Sequence, residues 1–409
     1  MRSGMVTVLL IACVLGGLTI AYRAHMQGNF HRLKLKANIE TERQDAPEAR
    51  PGGQEPIVLL RTPMAGETDP EFLSATVLPG RGMNVLQITA FIPGRGEVNL
   101  LASPSIEGAA GAMTGTGADA GGEASLAMGG AFEAPWAGDL GSSTLGNGSS
   151  DSEWRGHTIP LIATKAGGAT AQPRGGLLLP VAADTADSEA LPDGGTAHAV
   201  FHEGDFGGRW ISKTDVTVNV LLSSRTVELT VVATNVGDVE EPVGIGWHPR
   251  FAIAGADRRQ MRLHVPADSS LEIREKGKEQ PSGRLIPTAG GAYDFTAAGG
   301  ATLRAESLDD FFVGLQQKLL DNGPAAELIN PAGGYELRLT AMSPSIRAMH
   351  VNAPAEGEFI SIDPQYNFPE PFGKEWNDET NTGMVMLQPG QSTEWKVRLE
   401  ITTIGGATR

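Results

Sequence analysis

Two short segments in the C-terminal half of the chain each place one proton-transferring side chain at the end of an apolar run. Gly244-Ile245-Gly246-Trp247-His248-Pro249-Arg250-Phe251 carries His248, and Phe359-Ile360-Ser361-Ile362-Asp363-Pro364-Gln365-Tyr366-Asn367 carries Asp363. Imidazole changes charge near neutral pH, and a carboxylate accepts protons there. A His and an Asp held on rigid strands are therefore equipped to shuttle protons at physiological pH. The Gly-rich tract around residues 108–150 is no phosphate loop: it lacks a Gly-Lys-Ser/Thr ending and a strand-to-helix setting. The single cysteine, Cys13, excludes an internal disulfide.

The elements that would carry these side chains read as strands. Runs rich in Val, Ile, Leu and Thr recur between turn clusters at 57–61, 74–78, 84–92, 97–102, 216–222, 226–234, 261–265, 335–342, 347–351, 359–362 and 395–402. The run Thr226-Val227-Glu228-Leu229-Thr230-Val231 alternates as a half-buried strand should, and amphipathic helical patterns are scarce. The chain is expected to be all-β, a large sandwich of antiparallel strands. Its 53 glycines and 26 prolines suit many turns between short strands. The formal net charge of −16 offers no basic stripe for phosphates and argues against a nucleic-acid partner.

Ser3 to Tyr22 is uncharged and, at about 1.5 Å per residue, roughly long enough to cross a bilayer core. Residues 1–24 are expected to be a signal anchor or a cleaved signal peptide, with the membrane as a partner and the folded part on the extracytoplasmic side. The basic residues Arg23, Arg32, Lys34 and Lys36 pull the other way under the positive-inside rule. Residues 25–56 read as a linker, and 57–405 as one domain. Within it, 108–150 reads as a long low-complexity insertion with little to bury.

The two segments, in this order, resemble the two catalytic signatures of the aldose 1-epimerase (galactose mutarotase) family. The likeness extends to Val77-Leu78-Pro79-Gly80-Arg81-Gly82, Val98-Asn99-Leu100-Leu101, Met349-His350-Val351-Asn352 and Met386-Leu387-Gln388-Pro389-Gly390, so it covers roughly residues 57–403. It implies a β-supersandwich with an open sugar cleft, a hexose-like small-molecule substrate, and acid/base opening and reclosure of the sugar ring with no cofactor or metal. By the same resemblance, Asp363 would take the proton of the C1 hydroxyl and His248 would protonate the ring oxygen. His202, spaced before Trp210 as in the family, and Asp309, preferred over Asp310 for its spacing to Phe312, would orient the sugar. Gln365 would add a contact, and Trp247 with Phe251 would wall the sugar face. The chain departs from the family at three places. Asp363 stands where a Glu is usual, Thr164-Lys165 replaces an Asn-Arg pair so that Lys165 becomes the hydroxyl donor, and Arg250 stands where Tyr is common. A carbohydrate-binding protein without turnover is the alternative on the same fold. A sugar phosphate would call for several cations at the cleft, for which Lys165, Arg174 and Arg250 are the candidates.

Overall fold

The computed structural model describes residues 49–404 apart from 64–67, 142, 145–149, 162–163, 167–168, 172–173, 254–256, 276–279, 292, 318–322, 324 and 378. The expected signal anchor at 1–24 and most of the linker at 25–56 lie outside the described residues. Among the described residues no helix is long and apolar enough to cross a membrane.

Two large antiparallel sheets face each other. The first has nine strands in the order Thr185–Leu191, Gly194–His202, Thr214–Leu222, Thr226–Asn235, Ser392–Thr402, Tyr335–Ala341, Ala326–Asn330, Arg262–His264 and Ala301–Thr302. Its inner face follows from strict alternation. Val216, Val218, Val220 and Leu222 point inward beside Val227, Leu229 and Val231, and Trp395, Val397, Leu399 and Ile401 continue the row on the C-terminal strand. Register pairs such as Val218 with Val231 and Leu229 with Val397 put branched side chains opposite one another, where cross-strand contact is strongest.

The second sheet runs Gln280–Pro287, Ala267–Glu275, Leu308–Leu315, Ala348–Ala353, Phe359–Gln365, Gly246–His248 and Ala131–Glu133, with Arg250–Ala252 also paired to Phe359–Gln365. Phe312, Met349, Val351, Ile360, Ile362 and Trp247 turn one face of it into the shared core. Phe132 meets Trp395 edge-on at 6.2 Å, and the Trp395 indole nitrogen donates to the Pro364 carbonyl at 3.1 Å, which pins the two sheets together. The residues between those core positions necessarily face the other way, and they include both proton-transferring candidates.

Residues 108–150 differ from the expectation of an insertion with little to bury. A helix over Ile106–Ala112 is capped by Ser105, whose hydroxyl accepts from the Gly108 backbone at 3.2 Å. A second helix spans Glu123–Met128, and Ala131–Glu133 is a strand of the second sheet. The buried Arg81 guanidinium pairs with Asp119 at 2.8 Å across this region. Small residues offer little side chain to bury, but here they permit close approach of the backbone. Gly130, at φ 75°, sits against the Val85 carbonyl where a side chain would not fit, and its own carbonyl accepts from Val85 N at 2.8 Å.

Candidate active site

Cross-strand register assembles the site on the outer face of the second sheet. His350 lies opposite Asp363, Asn352 opposite Ser361 and Asp309 opposite Asn352, while Gly246 lies opposite both Gln365 and Glu133. Side chains of directly opposed residues share a face, and so do residues two apart on one strand. Asp309, His350, Asn352, Ser361, Asp363, Gln365, His248 and Glu133 therefore converge across five strands. Several of them line an open-sided cavity of about 260 Å³ together with Arg174, Arg250 and Phe359.

A row of hydrogen bonds links the ionisable groups. His248 Nδ1 lies 2.8 Å from Asp363 Oδ2, which also meets His350 Nδ1 at 3.0 Å. The far nitrogen of His350, Nε2, reaches Asp309 Oδ1 at 2.9 Å, and that same oxygen accepts from Asn352 at 3.1 Å. The Ser361 hydroxyl contacts the remaining oxygen of Asp363, Oδ1. With both ring nitrogens on carboxylates, His350 is best satisfied as a cation. Burial alone would lower its pKa, but the hydrogen bonds and charges of Asp309 and Asp363 outweigh burial and raise it to about 9. Phe311 stacks on its ring at 4.1 Å and fixes the plane.

Asp363 is held at the other extreme. Desolvation would push its pKa up, yet the neighbouring His248 and His350 bring it well below the usual carboxylate range. It is 2 % exposed and both of its oxygens are engaged. A carboxylate so occupied is a weak proton acceptor and a strong anchor, so its clearest effect is to orient His248. The His248 side chain is 20 % exposed, and with Nδ1 on Asp363 it has Nε2 left for a ligand.

The other expected residues fall in different places. Gln365 lines the cavity and donates to the Asn367 carbonyl at 2.6 Å. Asp309 joins the cluster through His350 rather than through the cavity wall. Trp247 is fully buried on the core side, donating to the Gly130 carbonyl at 3.2 Å and meeting Phe251 edge-on. It cannot wall the sugar face, because it is next to His248 on one strand and alternation sends the two to opposite faces. Trp247→Ala is therefore expected to cost about 3–5 kcal/mol of stability, read as a lower urea midpoint. His202 is not brought to the cavity: it lies on the first sheet, 61 % exposed, with Nδ1 2.9 Å from Asp215. Lys165 is on the hairpin of Thr164–Ala166 and Ala169–Ala171, and its side chain lies outside what the structure describes. Arg250 lines the cavity with its guanidinium 3.6 Å from the Phe359 ring centre.

Sequence reading overlooked His350 as a site residue, as well as Asn352, Ser361 and Glu133. A usable signal existed for two of them, since His350 and Asn352 are two apart on an apolar strand and must share a face. Glu133 gave none, standing alone in Ala131-Phe132-Glu133-Ala134.

The family model of aldose 1-epimerase matches residues 186–400, just over half of the chain. No curated protein matches the sequence. Among solved structures, a galactose mutarotase-like protein from Clostridium acetobutylicum superposes with a TM-score of 0.63 at 15% identity, covering 84% of this chain and 98% of its own. An aldose epimerase homologue from C. elegans gives 0.59 at 14%, covering 81% and 96%. A galactose 1-epimerase from Lactobacillus acidophilus gives 0.56 at 16%, covering 84% and 98%. At such identities the likeness establishes the fold, a mutarotase-type β-sandwich. The chain belongs to the aldose 1-epimerase family.

Proposed function

We propose that the protein interconverts the α and β anomers of an aldose by opening and reclosing the sugar ring. The observation that supports this most directly is His248, oriented through Nδ1 by the buried Asp363 and open to the cavity at its other nitrogen. Ring opening needs a proton delivered to the ring oxygen as the C1–O5 bond breaks and a proton removed from the C1 hydroxyl as the carbonyl forms. Rotation about C1–C2 and reclosure give the other anomer. An imidazole that can both hold and release a proton at its free nitrogen suits the first of these transfers and its reversal.

The second reading is a sugar-binding protein without turnover, and the full engagement of Asp363 by two imidazoles and a serine favours it. Equilibration of α-glucose, α-galactose and α-glucose 6-phosphate, followed by NMR of the anomeric protons, separates the two. The phosphate is included because Arg174 and Arg250 line the cavity. The expected result is equilibration of at least one sugar faster than in buffer alone. Binding with an unchanged rate would establish the second reading instead.

A further inference from the structure

We propose that Glu133 is the second proton-transferring residue of the cavity, the group that takes the C1 hydroxyl proton while His248 serves the ring oxygen. The proposal rests on the anomer-interconversion reading and supplies the partner that reading lacks. Two protons move at two different atoms of the sugar, and His248 can attend to one of them. Asp363 is committed to His248, His350 and Ser361.

Glu133 has the placement for the task. It is opposite Gly246 in the register of the edge strand, so its side chain shares the face that carries His248 two residues further on. It lines the same cavity and is only 4 % exposed. The carboxylate lies between two glycines: a Cβ added to Gly175 would stand 2.7 Å from Oε1, and one added to Gly246 would stand 3.0 Å from Oε2. Among the described residues no hydrogen bond is made to it. A buried carboxylate without such a bond is costly, and it is retained where it meets a ligand more readily than where it only fills space.

Its surroundings also set its proton affinity. Burial raises the pKa of Glu133 and nearby Asp363 raises it further. His248, Arg174 and His350 act in the opposite sense, and the balance lies at about 7. A base with that affinity exchanges protons freely at neutral pH, which a carboxylate bound as Asp363 is does not.

The step balances within the cavity. Ionised Glu133 takes the C1 hydroxyl proton, the O–H electron pair becomes the second bond of the C1 carbonyl, and the C1–O5 pair leaves with O5, which receives the proton of the His248 imidazolium. After rotation about C1–C2, O5 attacks the other face of the carbonyl, returns its proton to His248, and the new C1 alkoxide takes back the proton from Glu133. Nothing is consumed.

The test is Glu133→Gln in the full chain, assayed with α-glucose, α-galactose and α-glucose 6-phosphate from pH 5 to 9. We expect the wild-type profile to have an acid limb, along which the rate rises with pH toward about 7 as Glu133 ionises. In E133Q the rate should fall about 100-fold or more and lose that rise. The unfolding midpoint should be unchanged or higher, because the substitution removes a buried charge. A purely structural Glu133 would lower the midpoint on substitution and leave the pH profile in place. An E133Q rate within about threefold of wild type overturns the assignment of Glu133 alone. A wild type inactive on all three sugars overturns the anomer reading, and the role of Glu133 with it. Should E133Q not fold, Glu133→Asp replaces it: one methylene less of reach should slow the reaction about tenfold or more, and an undiminished rate overturns the proposal.

Discussion

His248→Asn is expected to yield a folded protein whose acceleration of anomer equilibration falls by about 10²–10⁴-fold. Asparagine is the informative replacement because its amide nitrogen stands close to where Nδ1 stood. It can still donate to Asp363, which His248 does at 2.8 Å, so the buried carboxylate keeps a partner. What disappears is the far ring nitrogen and its capacity to carry a proton. Loss of rate with an unchanged unfolding midpoint assigns the effect to proton transfer. Retention of rate to within about tenfold would show that His248 holds the site without working in it. The polarimetric trace of α-galactose against a buffer blank reads the difference.

Asp363→Ala should damage both the fold and the reaction. Its removal leaves the His350 cation, 5 % exposed, with one carboxylate where there were two, and frees the ring of His248 to turn. Breaking a buried ionic cluster by deleting one member costs about 3–5 kcal/mol. A ring displaced by about 1 Å costs on the order of 100-fold in rate. The pH dependence of stability supplies a sharper readout. His350 is raised from its unfolded value near 6.5 to about 9, so its stabilising contribution is full below about 6.5 and is lost as the pH climbs through 9. Asp363 is lowered, so its contribution is present above about 4 and is lost as the pH falls further. Glu133, raised to about 7, favours the folded chain below its unfolded value of about 4.5, and that contribution is lost as the pH rises through 7. The wild-type urea midpoint should decline from mildly acidic pH toward 9. Asp363→Ala should lie lower at pH 6 and decline less above 7, because much of what raised His350 is gone. Parallel curves for the two proteins would contradict this account of the cluster.

Much of the architecture was legible in the sequence because alternation is a local property. Val216 to Leu222 and Thr226 to Thr234 announce strands on their own, and the apolar approaches to His248 and Asp363 announce where those side chains are presented. The site was legible only in part, because it depends on parity and register. Parity is legible for Trp247: one residue from His248 on a strand, it must face the core. Register was not available. Nothing in the sequence says that Glu133 lies opposite Gly246, since that pairing is settled by sheet order across remote segments, and the register that puts His350 opposite Asp363, 13 residues on, is set by the geometry of the loop between their strands. His202 illustrates the converse, a spacing to Trp210 that suited the expectation on a strand belonging to the other sheet. The Gly- and Ala-rich stretch before Glu133 hid an element that the packing required.

His248 and Asp363 are 115 residues apart, and the strand bearing Glu133 pairs with the one bearing His248 across a comparable interval. Contacts of such long range impose loop-closure entropy before any of their stabilisation is gained. The hairpins between Thr185 and Asn235 can form from neighbouring sequence, whereas the cluster needs segments near 131, 248, 309, 350 and 363 in place together. On that entropy alone the site is expected among the later contacts of folding. No nascent or fragmentary chain ending before Phe359 contains it, and the contact of His248 with Asp363 comes into being only once both of their strands are in the sheet.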